Sequence, residues 1–417
     1  MKFKKIHSGL IALGLCCSLF LQTPVLAAEE TADAAAVSAI STNDIAGWPQ
    51  GPDITSTAAV IMEDSTNTTL YAKNMDQVLY PGATVKVMTT LLALENTQLS
   101  DQVTMTATGV SGVTDGGANI SAQIDEVFTV EQCLYAIMLA SANDVALQLA
   151  EHIGGSVDGF VQMMNARATE LGCTNTVFTN PTGLPDENQH TTAHDMALIM
   201  KAAADNESFQ TIASTTSYTI PATNVSGGER VLTNNFSMLT NTNAAYYQYC
   251  TGGREGYTEA SGSTLVCSAQ KNGITLIAVV LQGTSGTTAT EAASLLNYGF
   301  DNFNMLSLGD NDFNMLSGGD VYVPVGTTAD ALTTQDGKVQ DGQYSRQYLF
   351  GGTAVGTSVM AATQEEDTSL VDASVQNIDA ARNYTEGRNN LPYFIIGGVG
   401  ILLLLLILLR IIKVAKS

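Results

Sequence analysis

The sequence predicts an α+β fold: an antiparallel sheet flanked by helices, a helical subdomain, a small β-rich second domain and one C-terminal membrane helix. Three observations carry that reading. AAVIMEDSTNTTLYAKN reads as two short strands around a polar turn, and apolar and polar residues alternate around Gly-containing turns at REGYTEASGSTLVCSA and GITLIAVVLQG. Between these lie capped apolar stretches of helical length. Beyond residue 300 the texture turns strand-like, and the chain finishes on a long uncharged run.

Composition sets the outer limits. At 417 residues the chain is long enough for two or three segments. With 45% hydrophobic and 14% charged residues it can bury a sizeable core, which excludes global disorder. The net charge of -23, from 17 Lys+Arg against 40 Asp+Glu, excludes nucleic acid as a partner, because phosphate contacts need clustered cations.

Taken in order, residues 1–27 read as a secretory signal peptide. Lys2, Lys4 and Lys5 open it, an apolar run extends from Gly9 to Leu21, and Val25 and Ala27 supply small residues at cleavage spacing. Cys16 and Cys17 lie inside the apolar run rather than before a polar mature start, which argues against a lipoprotein anchor. Residues 28–47, rich in Ala, Ser, Thr and Asp, read as a linker, and 48–300 as the main domain.

Within that domain, PGATVKVMTTLLALE is apolar nearly all round and predicts a buried helix with Pro81 in its first turn. Thr129 and Gln132 form a capping box for a helix carrying Leu134, Ile137 and Met138. That helix breaks around Ser141–Asn143, and VALQLAEHI continues to a stop at Gly154–Gly155. NPTGLPD is a turn-rich loop; Thr192 and Asp195 cap DMALIMKAAA; EAASLLNYGF closes the domain as a helix.

DNFNMLSLGD is followed at a period of ten by NDFNMLSGGD, too short a repeat for a solenoid. Turns around Gly309 and Gly318–Gly319 are expected to separate it from the strand-like DVYVPVGTTADAL, giving a β-rich domain at 301–363. Residues 364–390 read as an acidic stalk. Leu391–Leu409 is uncharged and has the length of a bilayer span, with Tyr393 and Phe394 at interfacial positions. Arg410, Lys413 and Lys416 then mark 410–417 as a cytoplasmic tail. The expected location is the cell membrane, crossed once, with the main domains outside.

The cysteines beyond the signal segment are Cys133, Cys173, Cys250 and Cys267, with no Cys-x-x-Cys pair. They form neither a metal site nor a dense disulfide framework. Cys250 and Cys267 flank a predicted hairpin, which leaves a bridge or two free thiols. His190 and His194 share a helix face only if the following helix extends back to them. No metal and no organic cofactor is indicated.

Four landmarks together, YPGATVKVMT, the Ser-Ala-Asn of LASAND, NPTGLPDENQHTTAHDMA and GGREGYTEASGSTLV, resemble the serine D-alanyl-D-alanine carboxypeptidases, the low-molecular-weight penicillin-binding proteins. The resemblance runs from about Ala58 to Phe300. It implies a penicillin-binding/β-lactamase-like transpeptidase domain and acyl transfer from a peptide ending in two D-alanines. In that family a serine attacks and a lysine three residues later acts as base, the two sharing one helix face.

Here that motif falls on Pro81 to Lys86, and Ala83 occupies the nucleophile position while Lys86 keeps the base position. A methyl group cannot attack a carbonyl. Thr84 lies two residues before Lys86, roughly 200° away around a helix. The second element, Ser141 with Asn143, is intact; the resemblance implies proton relay for the serine and substrate-amide binding for the asparagine. At the third element, Lys-Thr-Gly in the family, the chain has Arg254, Glu255 and Gly256. Strand alternation puts Arg254 and Gly256 on one face and Glu255 on the other. Arg254 is either a clamp for a substrate carboxylate or the partner of a surface acid.

The favoured expectation is a degenerate family member in peptidoglycan metabolism, binding wall peptides or scaffolding without acyl transfer, with a stem peptide or a β-lactam as ligand. The alternative is an active DD-carboxypeptidase using Thr84 or Ser141 as a displaced nucleophile. A β-lactamase fits less well, because the NPTGLPD stretch matches the carboxypeptidases better.

Overall fold

The computed structural model describes residues 40–113, 117–309 and 314–362. The expected signal peptide, stalk, membrane span and basic tail therefore lie outside the described residues. Among the described residues no helix is long and apolar enough to cross a membrane.

The first hairpin is β1 (Ala58–Glu63) and β2 (Thr69–Lys73). Pro81 then leads a 3-10 turn at Gly82–Val85, which runs straight into α1 (Lys86–Asn96). The helical subdomain follows: β3 (Gln102–Thr104), α2 (Ala107–Gly112), β4 (Val127–Thr129), α3 (Val130–Ala140), α4 (Asn143–Gly154) and α5 (Val157–Glu170). The chain returns through α6 (Ala193–Ala204), α7 (Glu207–Ser214) and the hairpin β5 (Ser217–Ile220) with β6 (Arg230–Thr233). It then forms β7 (Cys250–Thr258), β8 (Gly262–Lys271), β9 (Ile274–Gly283) and α8 (Thr288–Asn302).

Local signals account for the breaks. Thr129 Oγ1 accepts from the Gln132 N–H while Gln132 caps the Thr129 N–H, the reciprocal capping box. α3 ends where Ser141 takes a left-handed conformation (φ 59°), and α4 ends on Gly155 in the same region (φ 72°). Thr192 caps α6, whose first residue is Ala193, so His190 lies outside the helix and does not share a face with His194. His190 instead pairs with Val177 in an isolated bridge.

The main sheet has the order β2-β1-β9-β8-β7 and is antiparallel throughout. Residues alternate between two cores. Val60, Val266, Ile277 and Val279 face the helical side with α1, α3, α4 and α6. Ala59, Leu265, Ala278 and Val280 face α8. Strands buried on both faces read as near-continuous apolar runs, as VCSA and LIAVVL do.

The second sheet has the order β10-β11-β14-β13-β12, from β10 (Phe303–Ser307), β11 (Met315–Pro324), β12 (Thr333–Asp336), β13 (Gln343–Phe350) and β14 (Thr353–Ala361). Its Phe303, Val321, Tyr322 and Val323 join the same core as α8. Two expectations are corrected here. Gly318 and Gly319 do not separate the repeat from a following strand; they lie inside β11, where positive φ values of 75° and 90° accompany a slip in register against β14. The last part of the expected linker is folded: Ile40 pairs with Lys73 and Ser41–Asp44 forms a 3-10 turn, leading to Trp48, whose ring packs tilted against Phe303 and Phe350. The four cysteines are free thiols. Cys250 and Cys267 are unbridged, and the Cys250 thiol donates to the Gly252 carbonyl at 3.9 Å.

Candidate active site

A cavity of about 620 Å³ opens between the helical subdomain and strand β7. Its lining includes Ala83, Lys86, Ser141, Asn143, Arg254 and Gly256. Sequence motifs scattered over more than 170 positions thus converge on one place. Thr84 is not part of this lining: it is fully buried and its hydroxyl donates to the Pro81 carbonyl at 2.7 Å.

The 3-10 turn sets the wall. With three residues per turn, positions i and i+3 eclipse, so Ala83 and Lys86 point the same way. Gly256 comes up against this turn from β7; a Cβ there would stand 2.5 Å from the Ala83 Cβ. Gly183 of the NPTGLPD loop approaches from the other side. Its φ is +79°, and a Cβ on it would lie 1.9 Å from the Gly82 carbonyl oxygen, so glycine is required twice over.

That loop places the Thr182 carbonyl beside Lys86. The Lys86 Nζ donates to this carbonyl and to Asn143 Oδ1, the latter at 2.7 Å. Lys86 is 1% exposed. Burial, reinforced by the Arg254 charge, holds its pKa well below the usual lysine range. Two of the amine's hydrogens are thereby held by fixed acceptors. Among the described residues Ser141 makes no hydrogen bond to Lys86.

Asn143 is itself fixed. Its N–H donates to the Ala118 carbonyl, and the next residue, Asp144, accepts from the N–H groups of Ile120, Ala122 and Val145. Burial raises the Asp144 pKa, and those three donors oppose the rise.

Arg254 corrects one expectation. It has no acidic partner at the surface; it is 2% exposed, and its Nη1 donates to the Met138 carbonyl at 2.8 Å and to Asn235 Oδ1 at 2.9 Å. Burial brings its pKa down to about 10, so it stays charged at neutral pH. The register pairs Arg254 with Val266 and Gly256 with Thr264 on the Ala83 side, and Glu255 with Leu265 on the other. Glu255 still reaches the cavity, where its carboxylate accepts from Ser237 N–H at 3.0 Å and Ser237 Oγ at 2.7 Å. Sequence reasoning missed Thr182, Asn235 and Ser237. NPTGLPD signalled a special turn around Thr182; Asn235 and Ser237 lie in a stretch with no motif.

The arrangement can hold an extended chain along β7 and present it to the buried Lys86 amine. Among the described residues no cluster of His, Cys, Asp and Glu suits a metal ion.

Known proteins of this kind match closely. The sequence profile of the D-alanyl-D-alanine carboxypeptidase family covers residues 46–285. The chain is 33% identical over 254 residues to D-alanyl-D-alanine carboxypeptidase DacF of Bacillus subtilis, covering 59% of this chain and 62% of that protein. It is 32% identical over 266 residues to the D-alanyl-D-alanine carboxypeptidase of Streptomyces sp. K15, covering 60% and 88% respectively. The chain thus spans less than two thirds of the Bacillus relative's length. A solved D-alanyl-D-alanine carboxypeptidase from Mycobacterium tuberculosis superposes with a TM-score of 0.56 at 29% identity, over 61% of this chain and 95% of that one. Penicillin binding protein 6B from Escherichia coli superposes with a TM-score of 0.63 over 76% of this chain and 99% of that one; at 22% identity it speaks for the fold, including the β-rich second domain. The fold is that of the penicillin-binding transpeptidases, and the chain belongs to the D-alanyl-D-alanine carboxypeptidase family.

Proposed function

We propose that this chain is a degenerate D-alanyl-D-alanine carboxypeptidase that keeps its cleft as a non-covalent receptor for peptidoglycan peptides. The observation that carries the reading is Ala83. It stands one 3-10 turn before Lys86, against Gly256, where the family's serine would sit, and it offers only a methyl group. Lys86 is a buried amine with a depressed pKa and no hydroxyl three residues before it to deprotonate. The hydroxyl of Thr84 is buried and engaged with Pro81, which weighs against it as a displaced nucleophile. Ser141 lines the cleft but is not bonded to the Lys86 amine, which weighs against it as well. Losing a nucleophile from a catalytic unit removes several orders of magnitude in rate.

The signal-like residues 1–27 and the uncharged run 391–409 support a cell-surface location, with the cleft outside and a basic tail within. On this reading the main domain occupies 48–300, the β-rich domain 301–363 and the stalk 364–390, with one membrane anchor holding the receptor near the wall.

The test is cosedimentation of the full chain with insoluble peptidoglycan, paired with an assay for free D-alanine. The expected result is binding without release. Release of D-alanine, or failure to cosediment, contradicts the proposal.

A further inference from the structure

We infer that Glu255 selects the ligand of this cleft: its carboxylate occupies the donors that a ligand carboxylate would use, so the cleft prefers peptides whose terminal carboxyl is tied up as an amide over peptides ending in a free acid. The inference rests on the reading of the cleft as a peptide-binding site.

The donors come first. Ser237 offers a backbone N–H and a hydroxyl side by side, the pairing that recognises carboxylates. Both are already donated to Glu255, at 3.0 Å to Oε1 and 2.7 Å to Oε2. Two further polar groups of the cavity already hold partners, although the buried Arg254 Nε has none among the described residues. Arg254 spends Nη1 on Met138 and Asn235. Lys86 Nζ donates to Asn143 and Thr182.

The charges then decide the sign. Arg254 and Glu255 are adjacent on β7, line the same cavity and feel one another's charge, so a tethered anion is in place before any ligand arrives. An incoming carboxylate in this cavity is repelled by that anion, and like charges repel more strongly at a protein surface than in bulk water. An amide meets no such penalty. A carboxylate has about four lone-pair sites, and Ser237 uses two. The remainder can accept an amide N–H.

The experiment titrates two probes, N-acetyl-D-alanyl-D-alanine as its free acid and as its C-terminal amide, into the detergent-solubilised full chain and into Glu255→Gln. Gln keeps an acceptor for Ser237 and removes the charge; Glu255→Thr, a residue suited to a strand, is a second variant should the first lose its thermal transition. The wild type is expected to bind the amide at least about tenfold tighter than the acid. In either variant the ratio should fall below about threefold, through tighter binding of the acid. Equal binding of both probes by the wild type, or a ratio unchanged by the substitutions, overturns this inference while leaving peptide binding intact. Binding of neither probe by any of the proteins overturns the inference and the cleft reading together.

Discussion

Lys86 Nζ donates to Asn143 Oδ1 across 2.7 Å, and this bond ties the start of α1 to the junction between α3 and α4. It joins two motif residues 57 positions apart in the sequence, and it does so deep in the protein, where an amine is expensive to keep charged.

That expense has a pH signature. The folded-state pKa of Lys86 is depressed, chiefly by burial, whereas the unfolded chain has the ordinary value of 10.5. Between the two the unfolded state binds the extra proton, so stability rises with pH in that window. Wild type measured against Lys86→Met in urea should gain about 1.4 kcal/mol for each pH unit up to the ordinary lysine value. A difference that stays flat with pH would mean the buried amine is charged.

Arg254 is predicted to hold the cleft wall. Arg254→Met leaves the Met138 carbonyl and Asn235 Oδ1 without their donor. The expected cost is about 1–3 kcal/mol in the urea midpoint. Asn235→Ala on top of it should cost little more, because the two share one bond. Full additivity in the double-mutant cycle would contradict the bond.

The two glycines that shape the site should differ in sensitivity. Gly183→Ala puts a Cβ onto a backbone oxygen and demands a left-handed alanine. Gly256→Ala presses instead on the Ala83 methyl. Both overpack, at about 1–3 kcal/mol, and Gly183→Ala should lower the thermal midpoint further. The reverse order would show that the NPTGLPD loop yields more easily than β7.

Much of this was legible because it depends on local rules. The Thr129–Gln132 box, the break at Ser141 and the strands β8 and β9 follow from caps and periodicity. The convergence of Ala83 and Lys86 follows from spacing. What escaped depends on contacts distant in sequence. α5 was not anticipated: its stripe is interrupted by Gly159 and it buries only Phe160, Met164 and Ala168. The partners of Arg254 come from α3 and from a loop before β7, which no pattern within GGREGYT foretells. The Gly318–Gly319 pair signals a turn in sequence; only its pairing with β14 makes it a bulge.

Restoring the missing group should restore chemistry. Ala83→Ser sets a hydroxyl beside the buried Lys86 amine and should gain a stable mass adduct with a penicillin. Adding Lys86→Met should remove it, by at least about a hundredfold in rate. An adduct equally fast without the lysine would contradict its role as base.

The most direct test is the intact mass of the wild-type chain after exposure to the same penicillin. The account predicts an unchanged mass, because Ala83 offers no nucleophile and Thr84 is turned into the Pro81 carbonyl. A penicilloyl adduct on the wild type would contradict it, and peptide mapping would identify the residue that carries acyl transfer.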